Sequence, residues 1–190
     1  MLKQSNSFNK ALSKHDLFEL FESLNYKLKI NNLNLVITIY GGSVMTLLYD
    51  GRPATKDIDY MVNSDTNEKL LESIIDEMSV IYNLPKDWMN NDVKEPLQFI
   101  LKEETYDGLS YSNLTIMIPK AEQLLAMKIL SARPEPSKDF IDAELLCKTL
   151  GVKQKKEVIE IFSRFFPKKL LGQRQIMFIH YVGVDLGYDW

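Results

Sequence analysis

One cysteine and two histidines in 190 residues exclude much chemistry before any motif is read. Cys147 alone closes no internal disulfide, and its neighbours Leu145, Leu146 and Leu150 mark it as a core thiol rather than a reactive one. His15 and His180 lie far apart within helical patterns, so they supply neither a zinc cluster nor a nucleophile triad, and both read as structural or surface residues. No run approaches the roughly 20 apolar residues that span a bilayer. The stretch Met1 to Lys14 is polar and lacks the apolar core of a signal peptide. A cytoplasmic protein with no membrane partner is expected. The net charge of −3 is not the basic excess that nucleic-acid-binding domains usually show. Lys153, Lys155, Lys156, Lys168, Lys169 and Arg174 nevertheless make the last third more basic than the acidic middle, either as a solvated face or as a local anion-binding patch.

With 45% hydrophobic residues, the chain can bury a substantial core. Leu17, Leu20, Phe21, Leu24 and Leu28 recur at helical spacing behind a capping signal, Ser13 with Asp16. Leu35–Tyr40 reads as a strand, and Ile58–Val62 as a second. Asn63, Ser64 and Asp65 offer caps for a helix burying Leu70, Leu71, Ile74, Ile75 and Met78. Residues 84–96 read as a loop. Leu97–Leu101 and Leu114–Ile118 read as strands joined through a turn at Tyr106, Asp107 and Gly108. Helices are expected over about 120–131, 138–149, 153–165 and 170–182. The fold class is thus α/β (α+β), a mixed sheet of about four strands flanked by helices, with a helical C-terminal part. The expected division is a core over 1–135 and a helical portion over 136–190, or one single domain.

The candidate chemistry concentrates in residues 40–62. The strand ending at Tyr40 runs into Gly41, Gly42 and Ser43, after which Val44, Leu47 and Leu48 have helical spacing. Helix starts leave backbone N–H groups without intrahelical partners, and glycines let a phosphate approach them closely. Asp57 and Asp59 flank Ile58 at the start of the next strand, so their side chains share a face while Ile58 turns inward. Two neighbouring carboxylates repel unless a cation joins them, and paired oxygen ligands suit Mg²⁺, which takes its other ligands from water and substrate phosphates. Each feature has a plainer reading: a strand-to-helix turn for the glycines, a solvated strand end for the acids. Arg52 and Lys56 are the nearest cations, placed to orient phosphate or to balance charge.

Gly41-Gly42-Ser43 followed by Asp57-Ile58-Asp59 resembles the signature of the nucleotidyltransferase superfamily, the polymerase-beta-like fold. Together with Arg52, Thr55 and Lys56 it resembles the abortive-infection (AbiE-type) toxin branch and its uncharacterised relatives. The segment from Ile118 to Arg133, carrying Lys128, is similar to that branch's lysine-bearing strand and helix, and Lys138-Asp139 to its closing acidic motif. The resemblance covers roughly residues 35–150. It implies an enzyme that uses Mg²⁺ and an NTP to transfer a nucleoside monophosphate to an acceptor hydroxyl, on a tRNA end or a partner protein, in a toxin–antitoxin or phage-defence setting with a cognate antitoxin. It also implies roles: Gly41, Gly42, Ser43, Arg52 and Lys56 for the nucleotide, Asp57 and Asp59 as catalytic metal ligands, Lys128 for phosphate and Asp139 as a catalytic acid, with Asp142 an alternative for the last. Helix capping is the plainer reading of Asp139, and a lysine snorkelling to water that of Lys128. Classical members add a third carboxylate on a later strand. Neither Leu97–Leu101 nor Leu114–Ile118 has one, and Glu103, Glu104 and Asp107 lie nearest. That departure keeps a non-catalytic binding or regulatory protein open, beside an antibiotic-modifying nucleotidyltransferase that would need an acidic pocket for a cationic acceptor.

Overall fold

Leu35–Tyr40 is the central strand of a mixed sheet because its side chains are buried on both faces, with only Val36 partly open. The computed structural model describes residues 11–93, 97, 100, 105–133 and 137–190, and the side chains of all of these except 105–107. Its strands are β1 (Leu12–Ser13), β2 (Leu35–Tyr40), β3 (Ala54–Thr55), β4 (Ile58–Val62), β5 (Met89–Asn90), β6 (Thr105–Ser110) and β7 (Leu114–Pro119). The described helices are α1 (Lys14–Ile30), α2 (Gly41–Leu47), α3 (Glu68–Ile81), α4 (Ala121–Ser131), α5 (Lys138–Leu150), α6 (Lys155–Phe165) and α7 (Gln173–Asp185). Five strands pair in the order β5-β4-β2-β7-β6, and β1 pairs with β3 in a separate antiparallel ribbon. The chain divides into two compact units, one from Met1–Asp92 and Asp107–Met117, the other from Val93–Tyr106 and Ile118–Trp190.

In the first unit β2 runs antiparallel to β4, with Tyr40 opposite Asp59, and parallel to β7, with Leu35 opposite Leu114. The expected capping box of α1 is present: Ser13 Oγ accepts from the Asp16 N–H, and the Asp16 carboxylate takes the Ser13 N–H. All five apolar positions read as its inner face are buried.

Two local readings are corrected. Asn67, not Asn63–Asp65, caps α3, its Oδ1 accepting from the Leu70 N–H at 3.2 Å. Asn63 and Ser64 are used elsewhere: Asn63 Oδ1 accepts from the Thr38 N–H and Ser64 Oγ from the Val36 N–H, so both serve β2 where β4 ends. The turn expected at residues 106–108 is also displaced, because those residues lie inside β6. The chain reverses at residues 111–113, where the Tyr111 N–H meets the Leu114 carbonyl. There Asn113 carries the turn, donating its side-chain amide to the Leu33 carbonyl and its main-chain N–H to Asn25 Oδ1. Asn113 outcompetes Gly108 as the turn residue because it satisfies several polar groups at once.

The strand expected over Leu97–Leu101 falls mostly outside the described residues. At its described positions the Leu97 N–H bonds the Val93 carbonyl and the Ile100 N–H the Leu97 carbonyl, a helical turn rather than a ladder. Within the stretch read as a loop, Met89–Asn90 adds a short strand beside β4, and Trp88 is buried with its indole N–H on the Ile75 carbonyl at 3.2 Å.

The second unit is predominantly helical, as expected for the C-terminal part. Helix α4 packs on α5, α6 and α7, and α5 and α6 also pack on α7. Phe140 and Phe178 meet edge to face, ring centroids 5.7 Å apart, and Phe162 lies against Phe166. Helix α5 stops at Gly151, whose φ of 66° closes the helix end without strain. Beyond α7 the chain turns back, and Trp190 lies on Gly183, where any Cβ would overlap the indole. Its indole N–H donates to the Lys153 carbonyl at 3.0 Å, and its main-chain oxygen contacts His180 Nδ1. Cys147 is fully buried, and burial, reinforced by the Glu144 charge, pushes its thiol up to about 12. No described helix is long and apolar enough to cross a membrane.

Candidate functional site

Where β2 ends, Gly41 takes a φ of 64°, the left-handed conformation that side chains resist, and the chain enters α2. Ser43 is fully buried, and its hydroxyl donates to the Tyr40 carbonyl at 2.7 Å, so it closes the turn. The antiparallel register sets Asp59 across from Tyr40. That pairing brings the Asp59 carboxylate against the turn: its Oδ2 lies 2.5 Å from where a Cβ on Gly41 would sit. Gly42 is crowded in the same way, its missing Cβ lying 2.5 Å from Thr55 Oγ1 and 3.0 Å from Arg52 Nη1. Glycine is required at both positions because side chains of the neighbouring strands and loop press directly on the main chain.

Strand β4 begins at Ile58, so Asp57 is the last residue of the preceding loop. Burial alternates as the sequence implies: Asp57 and Asp59 are half-buried, while Ile58 and Tyr60 are buried. The Tyr60 phenol is raised by burial, then by the charges of Glu72 and Glu68. Lys56 is exposed. The structure therefore joins Gly41, Gly42, Arg52, Thr55 and Asp59 in one cluster, with Asp57 beside it through the bond from Thr55 Oγ1 to the Asp57 carbonyl at 3.2 Å. Thr55 escaped selection from the sequence as a site residue of its own. The available signal was a small β-branched hydroxyl two residues before Asp57.

In the helical unit a second cluster joins Lys128, Asp139 and Asp142. The Lys128 ammonium lies 2.7 Å from Asp139 Oδ1 and 2.7 Å from Asp142 Oδ2, and all three side chains are buried. Arg133 Nε stands 3.3 Å from Asp139 Oδ2. Lysine in α4 and acids spaced three apart on α5 make a cation held by two carboxylates, so the Lys128 ammonium is directed into the helical packing rather than to water. Of the nearby carboxylates named for a third metal ligand, Glu103 and Glu104 lie outside the described residues, as does the Asp107 side chain. Among the described residues no three His, Cys, Asp or Glu side chains form a metal-holding group.

The hard oxygens of Asp59 beside the Gly41 main chain, with Asp57 two residues earlier in the chain, fit Mg²⁺ shared with phosphate better than a metal held by protein alone. No curated protein and no solved structure matches the chain. Residues 15–166, a span that takes in both clusters, match the model of the family described as nucleotidyltransferase of unknown function (DUF6036), and the chain belongs to that family.

Proposed function

We propose that the protein binds an NTP with Mg²⁺ and transfers the nucleoside monophosphate to an acceptor hydroxyl, the new O–Pα bond replacing the bond to pyrophosphate, which leaves as the hydroxyl proton is lost to solvent. The observation that carries this reading is the Asp59 carboxylate packed on Gly41 next to the Arg52 guanidinium packed on Gly42. Acid, cation and a glycine main chain thus meet at one turn, open in part at Gly41. In this proposal the half-buried Gly41 lets the triphosphate approach the backbone and Gly42 lets Thr55 and Arg52 close on the turn, while Arg52 and the exposed Lys56 balance the phosphate charge. Asp57 and Asp59 hold the metal, which when bound supplies charge stabilisation to the developing and departing oxygens of an in-line displacement. Ser43 keeps the turn closed through its bond to the Tyr40 carbonyl. The Lys128–Asp139–Asp142 cluster is assigned to holding α4 and α5 together, so Arg52 replaces Lys128 as the proposed phosphate cation.

The order of motifs along the chain supports a toxin–antitoxin or phage-defence setting in the cytoplasm. For the acceptor, RNA such as a tRNA end is favoured over protein because the exposed Lys153, Lys156, Lys168 and Arg174 offer a supply of cations for a polyanion. The second reading, a binding module without transfer, is favoured by one observation: the lysine that the resemblance assigns to phosphate is already held by two carboxylates.

Thermal melting with Mg²⁺ and each NTP tests the reading, since a ligand of the folded state alone raises Tm. Asp57→Asn with Asp59→Asn removes charge at constant shape and should abolish the metal-dependent rise. Labelled NTP incubated with total RNA and cell protein then separates the outcomes. Label in RNA supports the favoured acceptor, label only in protein moves it, and a melting shift with label in neither supports the binding module.

A further inference from the structure

Between Leu48 and Asp57 a single residue is buried, and it is polar: Thr55, 2% exposed. Everything else in that connection is half-buried or exposed, and Asp50 within it adopts a positive φ of 47°. Such a loop has little packing of its own to hold its shape. Thr55 touches three segments that the site needs in fixed relation. Its Oγ1 donates to the Asp57 carbonyl at 3.2 Å, which sets the main chain carrying the first acid. Its Oγ1 and Cβ lie 2.5 and 3.3 Å from the position a Gly42 Cβ would occupy, so the side chain bears directly on the glycine turn. Its main chain pairs with Leu12 in the β1–β3 ribbon, and Leu12 is buried next to the Ser13 cap of α1.

We propose that Thr55 is a positioning residue that clamps the Asp57 loop onto the Gly41–Gly42 turn, so that the acids and the phosphate-approach surface keep a constant separation. The inference rests on the nucleotide reading for its consequence, though not for its geometry. Threonine suits the position for two reasons. Its branched Cβ leaves few χ1 options, which makes it a stiff spacer against Gly42, and its hydroxyl supplies the one bond to Asp57 that a valine of the same shape would forfeit. The β1–β3 ribbon is only two residues long on each side, so the side chain rather than the ladder supplies the lock.

The test compares the parent, Thr55→Val and Thr55→Ser. Hydrogen exchange without ligand is followed at Gly41–Val44 and Asp57–Tyr60, with α5–α7 as an internal reference. Thr55→Val is expected to raise exchange at both segments about fivefold, as loss of one part-buried hydrogen bond implies, while the reference helices stay unchanged. Thr55→Ser is expected to restore most of the protection. Titration with Mg²⁺ and the NTP that stabilises the parent most should show weaker binding in Thr55→Val, with rescue in Thr55→Ser. Parent-like exchange in Thr55→Val, or a rise spread evenly over the whole chain, overturns the clamp. A parent that ignores Mg²⁺ and every NTP defeats the nucleotide reading instead, and the exchange data still decide the clamp.

Discussion

A single methyl group added at Gly41 would be felt twice. The left-handed φ costs alanine about 1 kcal/mol, and the new Cβ would stand 2.5 Å from Asp59 Oδ2, forcing the carboxylate aside. Gly41→Ala should therefore lose roughly 2 kcal/mol in urea denaturation, allowing for that displacement, and lose the Mg²⁺-dependent rise in Tm. A variant as stable and as responsive as the parent would remove Gly41 from the site. Cys147 gives a pH-dependent prediction. Its thiol is raised in the folded protein, so the neutral form stabilises the fold fully below the unfolded value near 9. That contribution is lost as pH climbs toward about 12. Alkaline unfolding should then be shallower in Cys147→Ala, once corrected for the variant's lower stability at neutral pH, and native Cys147 should resist alkylation at mild pH. At this scale the sequence was a good guide to which side chains meet, because Gly41, Gly42, Arg52 and Asp59 do come together. It was silent on what each one touches. That Ser43 spends its hydroxyl on the Tyr40 carbonyl, and that Thr55 fills the space beside Gly42, depend on a strand register no local pattern encodes.

Among the elements, helices were the readable part. A 3.6-residue period averages over many positions, so the inner faces of α1 and α3 survive small errors at their ends. Strands are short, and a single turn residue outweighs their pattern. Gly108 drew the expected turn into what is β6, while the true reversal at Asn113 takes its partners from Asn25 and Leu33, far away in sequence. Helix α6 carries a prediction of its own. The Glu157 carboxylate accepts the N–H groups of Lys153 and Gln154, both at 2.8 Å, and these bonds hold its pKa below the ordinary glutamate value. Its support for the helix start is present above the unfolded glutamate value and is lost as pH falls through the lower folded one. Protection factors at Lys155–Val158, exchange rates taken relative to the unstructured chain at the same pH, should fall in that acid range, and Glu157→Gln should abolish that fall. Helices α4 and α5 are joined by the Lys128 ammonium between Asp139 and Asp142. Lys128→Met removes the ammonium that two buried carboxylates share and should cost about 3–5 kcal/mol in urea denaturation. A cost under about 0.5 kcal/mol, the scale of a surface change, would mean the cluster is not what holds these helices.

Over the whole molecule, net charge conceals distribution. The chain totals −3, yet Lys148, Lys153, Lys155, Lys156, Arg164, Lys168, Lys169 and Arg174 fall within one short stretch. If RNA is the acceptor, its affinity should fall steeply as salt rises, because each phosphate neutralised releases a counterion. Charge reversal of Lys153 and Lys156 should flatten that slope, measured by filter binding across a salt series. An unchanged slope would assign RNA contact elsewhere or nowhere. The division into two units has a consequence of a different kind. The chain has two tryptophans, and each unit contains one: Trp88 sealed in the first, Trp190 resting on Gly183 in the second. Nature has thus built an optical reporter into each half. In Trp190→Phe the remaining emission should be blue and report the loss of structure around α3 and the start of β4. In Trp88→Phe it should be redder, follow the helical half, and shift again when Gly183→Ala evicts the indole. Two dyes of this kind let the melting of each half be watched without attaching a label.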